Sequence, residues 1–308
     1  MADTFTPVQG FLAGIFHSAG RLVGAVTKHQ LLANPNFDTG LITGWTDDCV
    51  PTSTVVVTAN KGWKEGSFGA VMTGVGSNKV GISQIIALDV ALDAAEAAKY
   101  DVVAGIWCKF ATSGKEVTLK VSCLSAADGV LGTGSVTMIS NHPGYGAQQW
   151  GYYSVRIDAV NLTKKIKFEV YDSGEAEVFY LDKASLIIVE QMAGAYGPLA
   201  LSYGWETQDV STYAGAGTAG FRTLATTVMK KNELKCPAYW VSTEDLGEKM
   251  ADGGDVFVAV FSQRGTKAAD RFEFWAKVAG LDYGAPVDKV QESSITLVAN
   301  GLIGYADR

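Results

Sequence analysis

The stretch VTLKVSCLS, Val117 to Ser125, decides how the rest of the chain is read. Val117, Leu119, Val121 and Cys123 alternate with Thr118, Lys120 and Ser122, a period of two that sends alternate side chains to opposite faces of an extended strand. KIKFEVY repeats the pattern, with Ile166, Phe168 and Val170 set against Lys167, Glu169 and Tyr171. DVVAGIWCKF places Val102, Ile106, Cys108 and Phe110 on one side, Trp107 and Lys109 on the other. Strands with one apolar and one mixed face pack as antiparallel sandwiches.

Working outward, the composition agrees. The chain has 308 residues, 47% hydrophobic and 19% charged, with 35 glycines but only 7 prolines. That length suits two domains, and the Gly-rich turns between Val, Ile, Thr and Tyr runs predict an all-β protein. The net charge of −7 argues against a surface that grips nucleic acid, though not against one that lets DNA slide past. Cys49, Cys108, Cys123 and Cys236 show no zinc spacing. Cys108 and Cys123 fall on the apolar side of their strands, which predicts buried thiols. GFLAGIFHSAGRLVGAV, Gly10 to Val26, lacks a basic leader and is interrupted by His17 and Arg21. It fits neither a signal peptide nor a membrane span, so no membrane insertion is expected and the chain is expected to be made in a host cytoplasm.

From residue 31 to 190 a family resemblance emerges. NPNFDTGLITGW (Asn34–Trp45), GSFGAVMTG (66–74), VGISQIIAL (80–88), the strand around Trp107, QQWGYYSVRI (148–157) and YLDKASLIIVE (180–190) resemble, in this order, the jelly-roll carbohydrate-binding modules of families 4, 9 and 22. The resemblance implies a structural calcium shared by the first and last strands, with Asn36, Asp38 and Asp182 at the matching positions. Asn36 and Asp38 read equally as an Asx-type turn before Gly40. It also implies glycan contact through exposed aromatic rings flanked by polar side chains. Trp107 is the leading candidate, on a mixed face expected to include Lys109, Lys120, Lys167 and Tyr171, with Trp63 and Tyr145 in loop contexts. The other reading has Trp45 and Trp150 in the core and Trp107 covering a sheet edge.

The flanks, 1–30 and 191–308, then need a core of their own. RLVGAV (21–26) is expected to lead into the sandwich and PLALSYGWETQDVSTY (198–213) to return from it, as in a domain insertion. CPAYWVS (236–242) reads as a short strand. A helix should follow, capped by Ser242 or Thr243 and stopped at Gly253. DVFVAVFSQ (255–263), RFEFWAKVAGLDY (271–283) and ESSITLVANGLI (292–303) read as strands. With the APVD turn at Ala285–Asp288 and ETQDVSTYAGAG (206–217), this order resembles phage tail-tube subunits, so the sandwich is read as an insert in a split tube-like domain. That resemblance implies a major tail protein of the virion tail, forming stacked hexameric rings that conduct DNA. It further implies tape-measure and other tail proteins as partners, contacts through residues 1–16 and the hairpin 271–303, and an outward sandwich that touches host-surface glycans. The flanks carry 13 basic and 15 acidic residues, 13 − 15 = −2, and the middle 12 and 17, 12 − 17 = −5. A mildly acidic lining would let DNA slide. The alternative is a carbohydrate-binding adhesin or capsid decoration protein, held to the virion by its flanks.

No catalytic constellation emerges, and a non-enzymatic role is expected. GAGTAG (215–220) matches a dinucleotide fingerprint but lacks the βαβ setting. His17, His29 and His142 have no ligand-spaced partners, and no carboxylate pair shares a strand face within an aromatic cleft.

Overall fold

The computed structural model describes residues 13–18, 30–59, 64, 66–140, 149–172, 174, 178–195, 200–209, 225–240, 255–261, 271–284, 292–300 and 303–306. RLVGAV, the 242–253 helix, the APVD turn, GAGTAG, His29, His142, Trp63 and Tyr145 all lie outside these residues. The strands in chain order are β1 (Ala13–Ser18), β2 (Thr46–Asp47), β3 (Thr54–Ala59), β4 (Phe68–Thr73), β5 (Val80–Ala87), β6 (Tyr100–Phe110), β7 (Glu116–Leu124), β8 (Val130–Ile139) and β9 (Gly151–Asp158). They continue as β10 (Lys165–Asp172), β11 (Val178–Ala195), β12 (Ala200–Asp209), β13 (Ala225–Trp240), β14 (Asp255–Phe261), β15 (Arg271–Gly284), β16 (Glu292–Ala299) and β17 (Gly304–Ala306). A single turn of helix, α1 (Ala94–Ala97), precedes β6. The fold is all-β, as the period of two requires.

The two alternating strands that opened the argument lie side by side. A five-stranded sheet runs β2-β5-β10-β7-β8, and Phe168 of β10 pairs with Val121 of β7 and Gln84 of β5. Its apolar face meets β4, β6, β9 and β11 of the second sheet across one core. Phe168, Leu119, Val121, Ile166 and Val170 come from one side, and Ile106, Cys108, Phe179, Leu186 and Ile188 from the other. Phe37, Phe168 and Phe179 are fully buried, each stabilising the fold by about 1.5–3 kcal/mol.

The turn Asn34–Trp45 closes one end of this core. Asn34 organises it: its side-chain amide donates to the Leu41 carbonyl at 2.9 Å and to Thr39 Oγ1 at 3.0 Å, from a left-handed backbone at φ 48°. Phe37, also left-handed at φ 57°, plugs the core and stacks on Trp45 with centroids 5.5 Å apart. The Trp45 indole packs edge-on against Phe168 at 5.6 Å and donates to the Asn34 carbonyl at 3.1 Å. A bulky residue at positive φ is strained, and the buried ring offsets that cost.

The flank has its own core of Leu234, Val256, Val258, Val260, Phe274, Ala276, Val278, Ile295 and Leu297. Six strands surround it in a closed circuit, since β11 pairs β13, then β16, β15, β14 and β1 follow, and β1 returns to β11. CPAYW, 236–240, thus belongs to a 16-residue strand, not a short one, with Pro237 opposite Ser294 inside the ladder.

Between sandwich and flank lies a second closed circuit that periodicity alone does not announce: β1, β11, β6, β9, β17, β15 and β14, each paired to the next, and β14 back to β1. Its walls serve two cores at once. Val256, Val258 and Val260 of β14 point to the flank core, while Phe257 and Ala259 join Val103, Ile187, Val189 and Trp275 inside the middle circuit. β11 does the same, with Leu186 and Ile188 in the sandwich core and Ile187 and Val189 in the middle circuit, and its backbone runs unbroken through the boundary drawn at residue 190. Two unlike bodies are thereby welded by shared strands.

Candidate functional site

The outer face of the five-stranded sheet is a ladder of polar side chains. Tyr171 of β10 sits between Gly81 of β5 and Thr118 of β7, and Thr118 faces Thr137 of β8. In the next row Glu169 lies between Ser83 and Lys120, with Ser135 beyond; in the next, Lys167 lies between Ile85 and Ser122, with Thr133 beyond. Lys167 Nζ pairs with Glu169 Oε1 at 2.7 Å, and Lys79 Nζ lies 5.0 Å from the centre of the Tyr171 ring. The position beside Tyr171 is tight: a Cβ at Gly81 would stand 2.9 Å from the Tyr171 Cβ and 3.4 Å from the Lys79 Cε, so glycine is what fits there.

Here the expected grouping is corrected. Trp107 and Lys109 do not share a face with Lys120, Lys167 and Tyr171; the former are on β6 of the larger sheet, the latter on the opposite side of the sandwich. Alternation gives the face within each strand but not which of two sheets the strand joins. Nor is Trp107 an open platform, for it is 8% exposed. Tyr152 packs on it at 5.4 Å, Lys64 Nζ stands 3.9 Å over its ring, and Trp150 lies against the pair. Trp150 therefore packs outside the sandwich core, whereas Trp45 lies inside it. Lys109 lies 4.9 Å from the Trp150 ring and 4.8 Å from the Tyr180 ring, and burial lowers its pKa.

Below Trp107 the middle circuit holds a buried polar network. The Tyr152 hydroxyl donates to Glu273 Oε2 at 3.1 Å, Arg271 Nε donates to the other Glu273 oxygen, and Arg271 Nη2 donates to Ser154 Oγ at 3.0 Å. Burial first, and the Glu273 charge second, hold the Tyr152 phenol well above its ordinary pKa. Arg156 pairs with Asp101 nearby. Between Trp107 and the apolar cluster around Trp275 opens a cavity of about 210 Å³, reached by Lys183, Asn36 and Asn300.

The positions expected to share a calcium make local hydrogen bonds. Asn36 donates its amide to Asp38 Oδ2 at 3.2 Å, and Asp182, fully buried, accepts the Lys183 N–H at 2.8 Å. Among the described residues no group of three or more His, Cys, Asp or Glu gathers to hold a metal. The Asn36–Asp38 bond fits an Asx-type turn.

No family model and no curated protein matches the sequence. Among solved structures, the enzymatically active domain of tailspike protein 4 of bacteriophage CBA120 shares 11% identity over 51% of this chain and 21% of its own, with a TM-score of 0.41. The module TmCBM61 in complex with β-1,4-galactotriose shares 22% identity over 52% of this chain and 98% of its own, with a TM-score of 0.37. The CBM22-1 xylan-binding domain of Paenibacillus barcinonensis Xyn10C shares 16% identity over 50% and 92%, with a TM-score of 0.35. The chain thus resembles carbohydrate-binding modules and a tailspike domain over about half its length, and it spans only 21% of the tailspike chain. At these scores the likenesses carry no argument about function. No helix among the described residues is long and apolar enough to cross a membrane.

Proposed function

We propose that this chain is a carbohydrate-binding attachment protein, a β-sandwich that holds glycan on its open sheet and a β-barrel flank that fixes it to a virion. The observation that supports this most is the Tyr171 ladder. An aromatic ring next to rows of Thr, Ser, Lys and Glu on the outer face of a sheet offers a sugar both a C–H surface and hydroxyl partners. The rows run across four strands, so an extended oligosaccharide would lie side-on. Single contacts of this sort are weak and gain strength from many copies on one particle. The role needs binding only, and no catalytic residue enters it. A glycan array probed with the full chain tests the reading: oligosaccharide binding should be present and lost in Tyr171→Ala. Absence of binding at millimolar sugar would remove it.

The tail-tube reading keeps one observation in its favour. β16 pairs with β13 only from Glu233 to Ala238, while Ala225–Asn232 pairs, among the described residues, with β12 alone. At ~3.4 Å per residue this ribbon extends roughly 25 Å beyond the barrel. Two-stranded ribbons are marginal in isolation, and open strand edges invite pairing with further copies. Electron microscopy of the purified protein separates the readings, since tubes or six-fold rings belong to a tube subunit and persistent monomers do not.

A further inference from the structure

We infer that β3 is an interface with a second copy of this chain, the two joined edge to edge about a two-fold axis at Val56. The strand reads TVVVT from Thr54 to Thr58, the same in both directions. Laid antiparallel against its own copy with Val56 facing Val56, it sets Thr54 against Thr58 and Val55 against Val57. A two-fold contact must be self-complementary, and here every pair is like with like. Thr–Thr and β-branched pairs are among those that stabilise neighbouring antiparallel strands.

The edge is open for it. Among the described residues β3 pairs with β4 alone, from Thr54 opposite Thr73 to Ala59 opposite Phe68. An edge of this kind presents a row of N–H and C=O groups, which proteins guard with charge, proline, a bulge or brevity. Three other edge strands carry such devices. β2 has two residues and includes Asp47, β12 carries Glu206 and Asp209, and β8 breaks register against β7 between Val130 and Gly132. β3 has six residues with no charge, no proline and no break in register.

The side chains agree. Val55 and Val57 pack against the sandwich core, whereas Val56 is 54% exposed. Val56 begins an apolar row that continues through Val71 of β4 to Tyr180 of β11. Val50 and Val75 are also exposed at the Thr54 end, where Ser53 donates its N–H to the Val50 carbonyl at 3.1 Å and its Oγ accepts the Val75 N–H at 3.2 Å. Pairing brings the two Val56 side chains together and removes from water apolar surface that a monomer leaves exposed. The axis stands perpendicular to the larger sheet, so the five-stranded sheets of both copies lie on the same side of the seam. Two Tyr171 ladders are then presented together, and that consequence alone rests on the glycan reading.

The test is sedimentation velocity of the full chain. Between about 1 and 100 µM, a range suited to so small a contact, the mass should rise from the 32.6 kDa of one chain to twice that. Val56→Asp sets two like charges face to face and should hold the chain at the monomer mass throughout, with an unchanged circular dichroism spectrum. Val56→Cys reads the register separately: bismaleimidoethane should link two copies through position 56. Ser135→Cys, on the β8 edge, should give no cross-link above the wild-type background. Tyr171→Ala should dimerise as the wild type does, so failure of the ladder and failure of this interface are told apart. A wild type at the monomer mass at every concentration, a folded Val56→Asp that still doubles, or cross-linking through position 135 in place of 56 would overturn the assignment.

Discussion

Tyr152 and Glu273 stand 121 residues apart, yet the phenol of the first donates to the carboxylate of the second at 3.1 Å across the seam between sandwich and barrel. The bond is buried and continues through Arg271 to Ser154. Glu273→Ala should destabilise the protein by about 3–5 kcal/mol, because it leaves the Arg271 charge buried without its partner. Tyr152→Phe should cost less, about 1–3 kcal/mol. Urea unfolding of both variants checks the order, and a larger loss for Tyr152→Phe would contradict it.

The same phenol sets an alkaline limit. Its pKa in the fold is raised well above the usual value, so the unfolded state gives up the proton more readily. Its contribution is complete below pH ~10 and is lost as pH rises from there toward the folded pKa. The wild type should therefore lose stability above pH ~10 more steeply than Tyr152→Phe, measured as the denaturation midpoint from pH 8 to 11.

Two glycines carry the packing of Tyr152. A Cβ at Gly105 would meet the Tyr152 hydroxyl oxygen at 2.2 Å, and one at Gly304 would meet the ring at 2.3 Å. Gly105→Ala should cost about 1–3 kcal/mol through overpacking. Gly280→Ala, whose nearest neighbour would be Thr296 Cβ at 3.6 Å, serves as the tolerated control in the same melt.

Much of this was legible in the strands themselves. Period two in 117–125, 165–171 and 101–110 marked the sandwich core residue by residue, and Cys108 and Cys123 are buried where alternation put them. What alternation cannot supply is the partner of each strand. Lys120 and Lys109 look alike in sequence but stand on opposite sheets, and Val103 and Ile187 read as outward until Phe257 of β14 and Trp275 of β15 cover them. The helix α1 had a local signal that went unread: Asp93 and Glu96 form a capping box, with Asp93 Oδ1 accepting the Glu96 N–H at 2.8 Å. Lys183 had none, since a bulge depends on the register of two strands more than seventy residues apart in the chain.

Cys49 offers a chemical check on the β2 end of the sandwich. Burial first, then the hydrogen bond with Asp47, push its thiol up to about 11. At pH 8 only about one molecule in a thousand would carry the thiolate, so iodoacetamide should modify Cys49 on the order of a hundredfold more slowly than an unperturbed thiol. Mass spectrometry after timed alkylation reads this directly, and rapid labelling of Cys49 would refute the raised thiol pKa.

Chelation should have little effect. With Asn36 bonded to Asp38, and Asp182 to the Lys183 amide, the melting temperature should be the same in EDTA and in millimolar calcium. A rise of several degrees with calcium would mean that this turn reorganises around the ion.

The strand Val178–Ala195 has a consequence for how such a protein diversifies. One continuous ribbon lines the sandwich and then completes the barrel, so the sandwich has no clean seam at its C-terminal edge. Cassette replacement that cut there would sever the barrel's own wall. Surface change must instead arise by substitution on the solvent faces of the sheets, in a scaffold that is inherited whole.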